Sequence, residues 1–92
     1  MSIQGMIKRQ DKRLKEQAKA LKPQVWIGKN GLQDPVIEQI NRLLKKRKIV
    51  KVKFLKSFLE KNDRKEAAKR LAKLTKSEIV YATGFVVVLY KR

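Results

Sequence analysis

The chain contains no cysteine and no histidine. Without cysteine there is no disulfide framework, no thiolate nucleophile and no cysteine zinc site. Without histidine the commonest general base and the commonest metal ligand are both missing. Acidic residues are scarce, 8 Asp and Glu against 25 Lys and Arg, and they show no paired arrangement suited to acid–base catalysis. No Walker-type glycine-lysine-serine motif occurs, so nucleotide hydrolysis has no support. No apolar run approaches the roughly 18–20 residues that span a bilayer, and the first residues lack a hydrophobic signal core. The expectation is a cytoplasmic protein with no catalytic residues, no metal site, no cofactor, no small-molecule substrate and no membrane partner.

What is present is positive charge. The 92 residues carry a formal net charge of +17. The basic excess is spread from Lys8-Arg9 through Lys45 to Lys48 to Lys91-Arg92, so it is not a detachable tail. Such a chain is drawn to polyanions. Its length suits one domain with one modest core. The 42% of apolar residues fall in periodic blocks, as in a chain that folds. Residues 1–7 are mixed and expected to fray, leaving 8–92 as the domain.

The period of those blocks changes along the chain. From about Lys8 to Leu21, Leu14, Ala18 and Leu21 recur on one helical stripe, with Lys8, Lys12, Lys15 and Lys19 on another. Pro23 forces Lys22 out of the helix. Gln24 to Ile27 reads as a short strand. Asp34 suits an N-cap with Pro35 at the first helical position. The helix that follows, to about Lys46, has Val36, Ile37, Ile40, Leu43 and Leu44 on one face. Ile49 to Phe54 alternates, with Val50, Val52 and Phe54 on one side and Lys51 and Lys53 on an open, basic side. Residues 56–62 read as a loop. Asn62 or Asp63 caps a third helix over about Arg64 to Thr75, slim in alanine, with Ala67, Ala68, Leu71, Ala72 and Leu74 as its apolar residues. Glu78 to Ala82 and Phe85 to Tyr90 form a hairpin around Thr83-Gly84. The unbroken apolar run of the last strand marks it as central and covered on both faces, the first helix covering one of them. The fold class is α/β (α+β): one α-β-α-β-α-β-β domain with three helices and a four-stranded mixed sheet, the second and third helices on one face.

Between the first strand and the second helix lies Gly28-Lys29-Asn30-Gly31. Two glycines let a backbone approach a ligand closely, and a lysine between them supplies a cation for phosphate. Glycine pairs at this spacing also serve simple strand-to-helix turns, and spacing alone leaves both readings open. The strand before it, the helix after it and the large positive charge favour phosphate; KH domains clamp RNA backbone with a comparable loop.

Leu21-Lys22-Pro23 followed by Val25-Trp26-Ile27-Gly28-Lys29-Asn30-Gly31-Leu32 resembles the opening signature of the CRM domain (chloroplast RNA splicing and ribosome maturation). Ile49-Val50-Lys51-Val52-Lys53-Phe54 is similar to that family's second-strand motif, and Val88-Leu89-Tyr90-Lys91 to its closing leucine-tyrosine-arginine signature. The motifs keep order and spacing over about residues 9–92. The resemblance implies a compact RNA-binding domain. Stand-alone, YhbY-like members look like ribosome-maturation factors for large-subunit ribosomal RNA precursors, and plant members use the domain in intron splicing. The family's loop maps onto Gly28, Lys29, Asn30 and Gly31. The chain departs from the family in carrying Lys91 in place of arginine and Phe85 directly after the hairpin glycine.

The candidate RNA-binding residues are Gly28, Lys29, Asn30, Gly31, Lys22, Lys19, Lys15, Lys12, Arg42, Lys45, Lys46, Lys51 and Lys53. For Lys22 and the helix stripe a solvated surface is the competing reading. Trp26, the sole tryptophan, reads as a core residue of the first strand before it reads as a stacking platform, and Tyr81 and Tyr90 as sheet positions. The function read from these residues is non-catalytic RNA binding by a monomer, with ribosomal RNA or its precursors as partner. The rivals are an Alba-like DNA-coating chromatin protein, a ribosomal structural protein and an RNA-modifying enzyme.

Overall fold

The computed structural model describes residues 16–91. Residues 16–20 are helical (α1), closed by Leu21 N–H donating to the carbonyls of Gln17 and Ala18 at 3.1 and 3.2 Å. There follow β1 (Val25–Ile27), α2 (Asp34–Arg47), β2 (Ile49–Phe54), α3 (Lys56–Leu59), α4 (Arg64–Thr75), β3 (Glu78–Thr83) and β4 (Val86–Tyr90). Residues 1–7, and the stretch 8–15 of the helix expected from sequence, with Lys12 and Lys15, lie outside the described residues. The strands form one mixed sheet in the order β1-β2-β4-β3, with β1 parallel to β2 and β4 antiparallel to both its neighbours.

The α+β domain with a four-stranded mixed sheet is as expected, but the described residues hold four helices, not three. The stretch 56–62, read as a loop, opens with α3. Phe58 is the cause: it is buried, and its ring stacks on Phe54 at a centroid distance of 5.2 Å. One anchored aromatic holds a single turn too short to show a helical period in sequence. Smaller shifts occur at element ends. Gln33, not Asp34, is the N-cap of α2, and Asp34 belongs to the first turn. Lys48 closes α2 in the left-handed conformation (φ 66°), returning its N–H to Leu44 O, and the chain passes into β2 one residue later. Asp63 caps α4, its carboxylate accepting from Glu66 N–H at 3.0 Å. The hairpin turn is Gly84-Phe85, because Thr83 still pairs with Val86.

The main core lies between the sheet and α2, α3 and α4. Val25, Ile27, Val50, Val52, Phe54, Val87 and Leu89 meet Ile40, Leu44, Phe58, Ala67, Ala68 and Leu71 there. Burial of each large aliphatic side chain contributes about 1.5–3 kcal/mol, and the alanines of α4 let its backbone come close to the sheet. Of the apolar residues of α4, Leu74 sits at the edge of that stripe and is exposed. A smaller cluster on the opposite face joins Ala18 of α1 to Val80 and Val88, with Ile49, Tyr81, Val86 and Tyr90 around them. Val80 enters it through a bulge, the ladder slipping between Ile79 and Tyr81. β4 is therefore central and buried on both faces, which explains its unbroken apolar run.

Candidate nucleic-acid interface

The Gly28-Lys29-Asn30-Gly31 loop leaves β1 at the carboxyl end of the parallel β1–β2 pair, the end at which open α/β sheets commonly take ligands. Gly31 N–H donates to Gly28 O at 2.9 Å, making a four-residue turn with exposed Lys29 and Asn30 at its tip. Gly31 has φ +74°, a conformation side chains rarely adopt. A Cβ on Gly28 would lie 3.1 Å from Leu55 Cδ1, and one on Gly31 3.9 Å from Phe58 Cε1. Both glycines thus seat the turn against the β2–α3 junction, and Leu55 N–H fastens that junction to Ile27 O at 2.8 Å. The Gly31 amide is used inside the turn. The amides of Lys29 and Asn30 make no hydrogen bond among the described residues, leaving two adjacent donors beside an ammonium group at the tip.

Trp26 is not in the core. It is 54% exposed, between buried Val25 and Ile27. With those two facing α2 and α4, strand alternation puts Trp26 on the opposite face. In register order its row reads Trp26, Lys53, Val86, Thr83 across the four strands. The next row, with Lys51, Val88 and Tyr81, lies under α1. Lys53 is half-buried and not on a fully open face.

Lys51 does not project freely from the sheet as expected. Its Nζ donates to the carbonyls of Ala18 at 3.2 Å and Leu21 at 2.9 Å. Terminal helix carbonyls have no partner within the helix, and a cation complements the negative helix terminus. The ammonium group of Lys51 pins the end of α1 to the sheet instead of projecting from it.

The remaining cations divide by position. Lys22, close to the loop in sequence, sits beyond the other end of β1, three residues before Val25. Lys19 is exposed on α1. Arg42, Lys45 and Lys46 are exposed on α2, and with Gln24, Pro35, Gln39 and Leu43 they line an open groove along that helix. From Pro35, four residues past Gly31, to Lys46 the groove runs about 16 Å at 1.5 Å per residue. The buried Oε1 of Gln24, on its wall, has no hydrogen-bond partner among the described residues. Arg42, Lys45 and Lys46 thus lie toward the far end of α2 from the loop.

Two basic residues at the loop end were missed. Lys56 is exposed at the start of α3. The parallel pairing of β1 with β2 was the signal for it, since their carboxyl ends then lie side by side. Arg64, whose Nη1 donates to Gly84 O at 2.8 Å, is brought there by the hairpin turn meeting the start of α4. Nothing local in the sequence signals that contact. Among the described residues no group of three His, Cys, Asp or Glu could hold a metal, and no helix is long and apolar enough to cross a membrane.

The sequence profile of the CRS1 / YhbY (CRM) domain matches residues 6–91. The chain is 38% identical over 89 residues to "Probable RNA-binding protein MJ0652" of Methanocaldococcus jannaschii, a match covering 97% of this chain and 63% of the archaeal one. It therefore spans less than two thirds of that relative's length. It is 35% identical to "Probable RNA-binding protein YqeI" of Bacillus subtilis, covering 90% of this chain and 84% of that one. The solution structure of hypothetical protein SAV1595 from Staphylococcus aureus superposes with a TM-score of 0.75 at 34% identity, over 91% of this chain and 85% of that chain. A profile match over nearly the whole chain, with the fold to go with it, makes this protein a member of the CRS1 / YhbY (CRM) domain family.

Proposed function

We propose that the protein binds RNA without catalysis, and that the turn at residues 28–31 clamps one or two backbone phosphates. The observation that carries this reading is the turn itself: two adjacent unengaged amides and the Lys29 ammonium at the tip of a glycine-seated loop. The amides and Lys29 bind phosphate, and the Asn30 side chain adds a hydrogen bond to backbone or base. From the loop an RNA strand follows the α2 groove to Arg42, Lys45 and Lys46, while Lys19 and Lys22 widen the electrostatic footprint. Such contacts supply affinity and register but do not read sequence. RNA shape or protein partners then select the target. The relatives' names as RNA-binding proteins support RNA as the partner, and the resemblance to stand-alone maturation factors supports large-subunit ribosomal RNA precursors.

Affinity for structured RNA and for duplex DNA, measured over a range of salt, tests this. RNA should bind at least about tenfold tighter than duplex DNA at equal salt, a difference of about 1.4 kcal/mol. Each phosphate contact should add about 0.7 to the log–log salt slope on single-stranded RNA. Equal affinity for duplex DNA of any sequence would instead indicate a DNA-coating protein of the Alba type.

A further inference from the structure

We propose that Trp26 is a stacking platform for one unpaired base of the RNA whose phosphate the adjacent turn holds, so that the ligand is single-stranded at the loop. The proposal rests on the reading of the loop as an RNA clamp and adds the chemical state of the ligand there.

Scattered exposed apolar residues are ordinary on a protein surface. Here they are not scattered. Of the five large hydrophobic side chains exposed among the described residues, Trp26, Leu55 and Phe85 belong to the loop end of the sheet. Leu55 contacts the loop at Gly28, and Phe85 occupies the β3–β4 turn, where its carbonyl accepts from Phe54 N–H at 2.6 Å. Trp26 is placed there by strand alternation, and α1 does not bury it. Among the described residues the α1 contacts centre on Val88 and Val80, and Lys51 ties down the end of that helix; in the neighbouring row Lys53 and Val86 are half-buried while the Trp26 indole stays exposed.

Three further features favour a nucleotide as the occupant. Trp26 lies two residues before Gly28, about 7 Å along the strand, so a ring stacked on it belongs to the same nucleotide as a phosphate at the turn or to its neighbour. Lys53 is its register partner on the adjacent strand, about 4.8 Å away at the backbone, so a basic residue shares the row and face of the indole. The net charge of +17 draws in polyanions and repels cationic partners. Tryptophan stacks on the π-face of any base. Bases inside a duplex have those faces covered, so a duplex cannot use the platform without being opened.

Trp26 is the sole tryptophan, so fluorescence excited to the red of the absorption of Tyr81 and Tyr90 reports on this site alone. The protein is titrated at low salt with an oligoadenylate of about 12 nucleotides, within the range of known single-strand sites, and with a blunt RNA duplex of similar length. The expected result is quenching by the single strand and little by the duplex. Because these variants carry no tryptophan, their affinities are read by anisotropy of end-labelled RNA: Trp26→Ala should lose about tenfold in affinity for the single strand, Trp26→Phe should retain most of it, and the salt slope should be unchanged in both, because stacking releases no counterions. Circular dichroism establishes that the variants are folded. A Lys29→Asp, Asn30→Asp variant should instead lose affinity and salt slope together. Wild-type affinity in Trp26→Ala, or equal quenching by the duplex, overturns the platform. If the loop variant is impaired while Trp26→Ala is not, the platform falls and the clamp stands; if neither is impaired, both fall.

Discussion

Replacing Lys29 and Asn30 together by Asp is expected to weaken RNA binding at least tenfold, about 1.4 kcal/mol, in a protein that remains folded. Both side chains are exposed at the tip of a turn whose shape is set by other groups. Those groups are the Gly31 N–H bond to Gly28 O, the left-handed Gly31 and the seat on Leu55 and Phe58. None of them is touched by the change, so thermal stability should move little. The loss comes from two sources. The Lys29 cation is removed from the phosphate site, and two carboxylates are placed beside amides that would otherwise serve an anion. General electrostatics can be separated out, because Lys73→Asp with Lys69→Gln on exposed positions of α4 lowers the net charge of +17 by the same three units. That control should bind within about threefold of the parent, since charges spread over a surface act weakly through salt. Affinity by fluorescence anisotropy, read beside circular dichroism, decides the matter.

Lys51→Met is expected to lower unfolding stability by about 1.5–3 kcal/mol, the usual range for hydrogen bonds to a charged group. Methionine keeps most of the apolar stem and removes the ammonium group that joins the carbonyls of Ala18 and Leu21. α1 then rests on the sheet mainly through Ala18 packed against Val80 and Val88, a small contact. Urea unfolding should show the lower midpoint, and hydrogen exchange should quicken first in residues 16–20. The RNA salt slope should stay as it was. A slope reduced by about 0.7 with stability intact would make Lys51 an RNA contact, the role its alternating strand suggests from sequence alone.

Lys51 and Trp26 show where sequence reasoning stops. Alternation in Ile49 to Phe54 correctly separated the two faces of β2, but whether a face is open depends on what packs on it. The end of α1 reaches Lys51 across about thirty residues of chain, and no local pattern records that contact. For Trp26 the alternation was present in the sequence. Val25 and Ile27 flank it, and if they face the helices it cannot; size and hydrophobicity argued for the core and were overridden by position. The helix α3 was invisible for another reason, a single turn held by Phe58 being too short for periodicity. Long elements with caps or alternation were legible nearly to the residue: α4 with its Asp63 cap, β2, and the central β4. At the candidate site the glycine spacing indicated the turn. Its seat on Leu55 and Phe58, and the position of Lys22 at the far end of β1, required the fold.

In the proposed complex the amides at the tip of the 28–31 turn hold RNA phosphate. Backbone amide resonances followed during titration with single-stranded RNA test it most directly. The largest shifts are expected at Lys29 and Asn30, with slowed hydrogen exchange at both, and smaller shifts along α2 at Arg42, Lys45 and Lys46. Shifts confined to α2 and the opposite end of β1, with Lys29 and Asn30 unmoved at saturation, would contradict it.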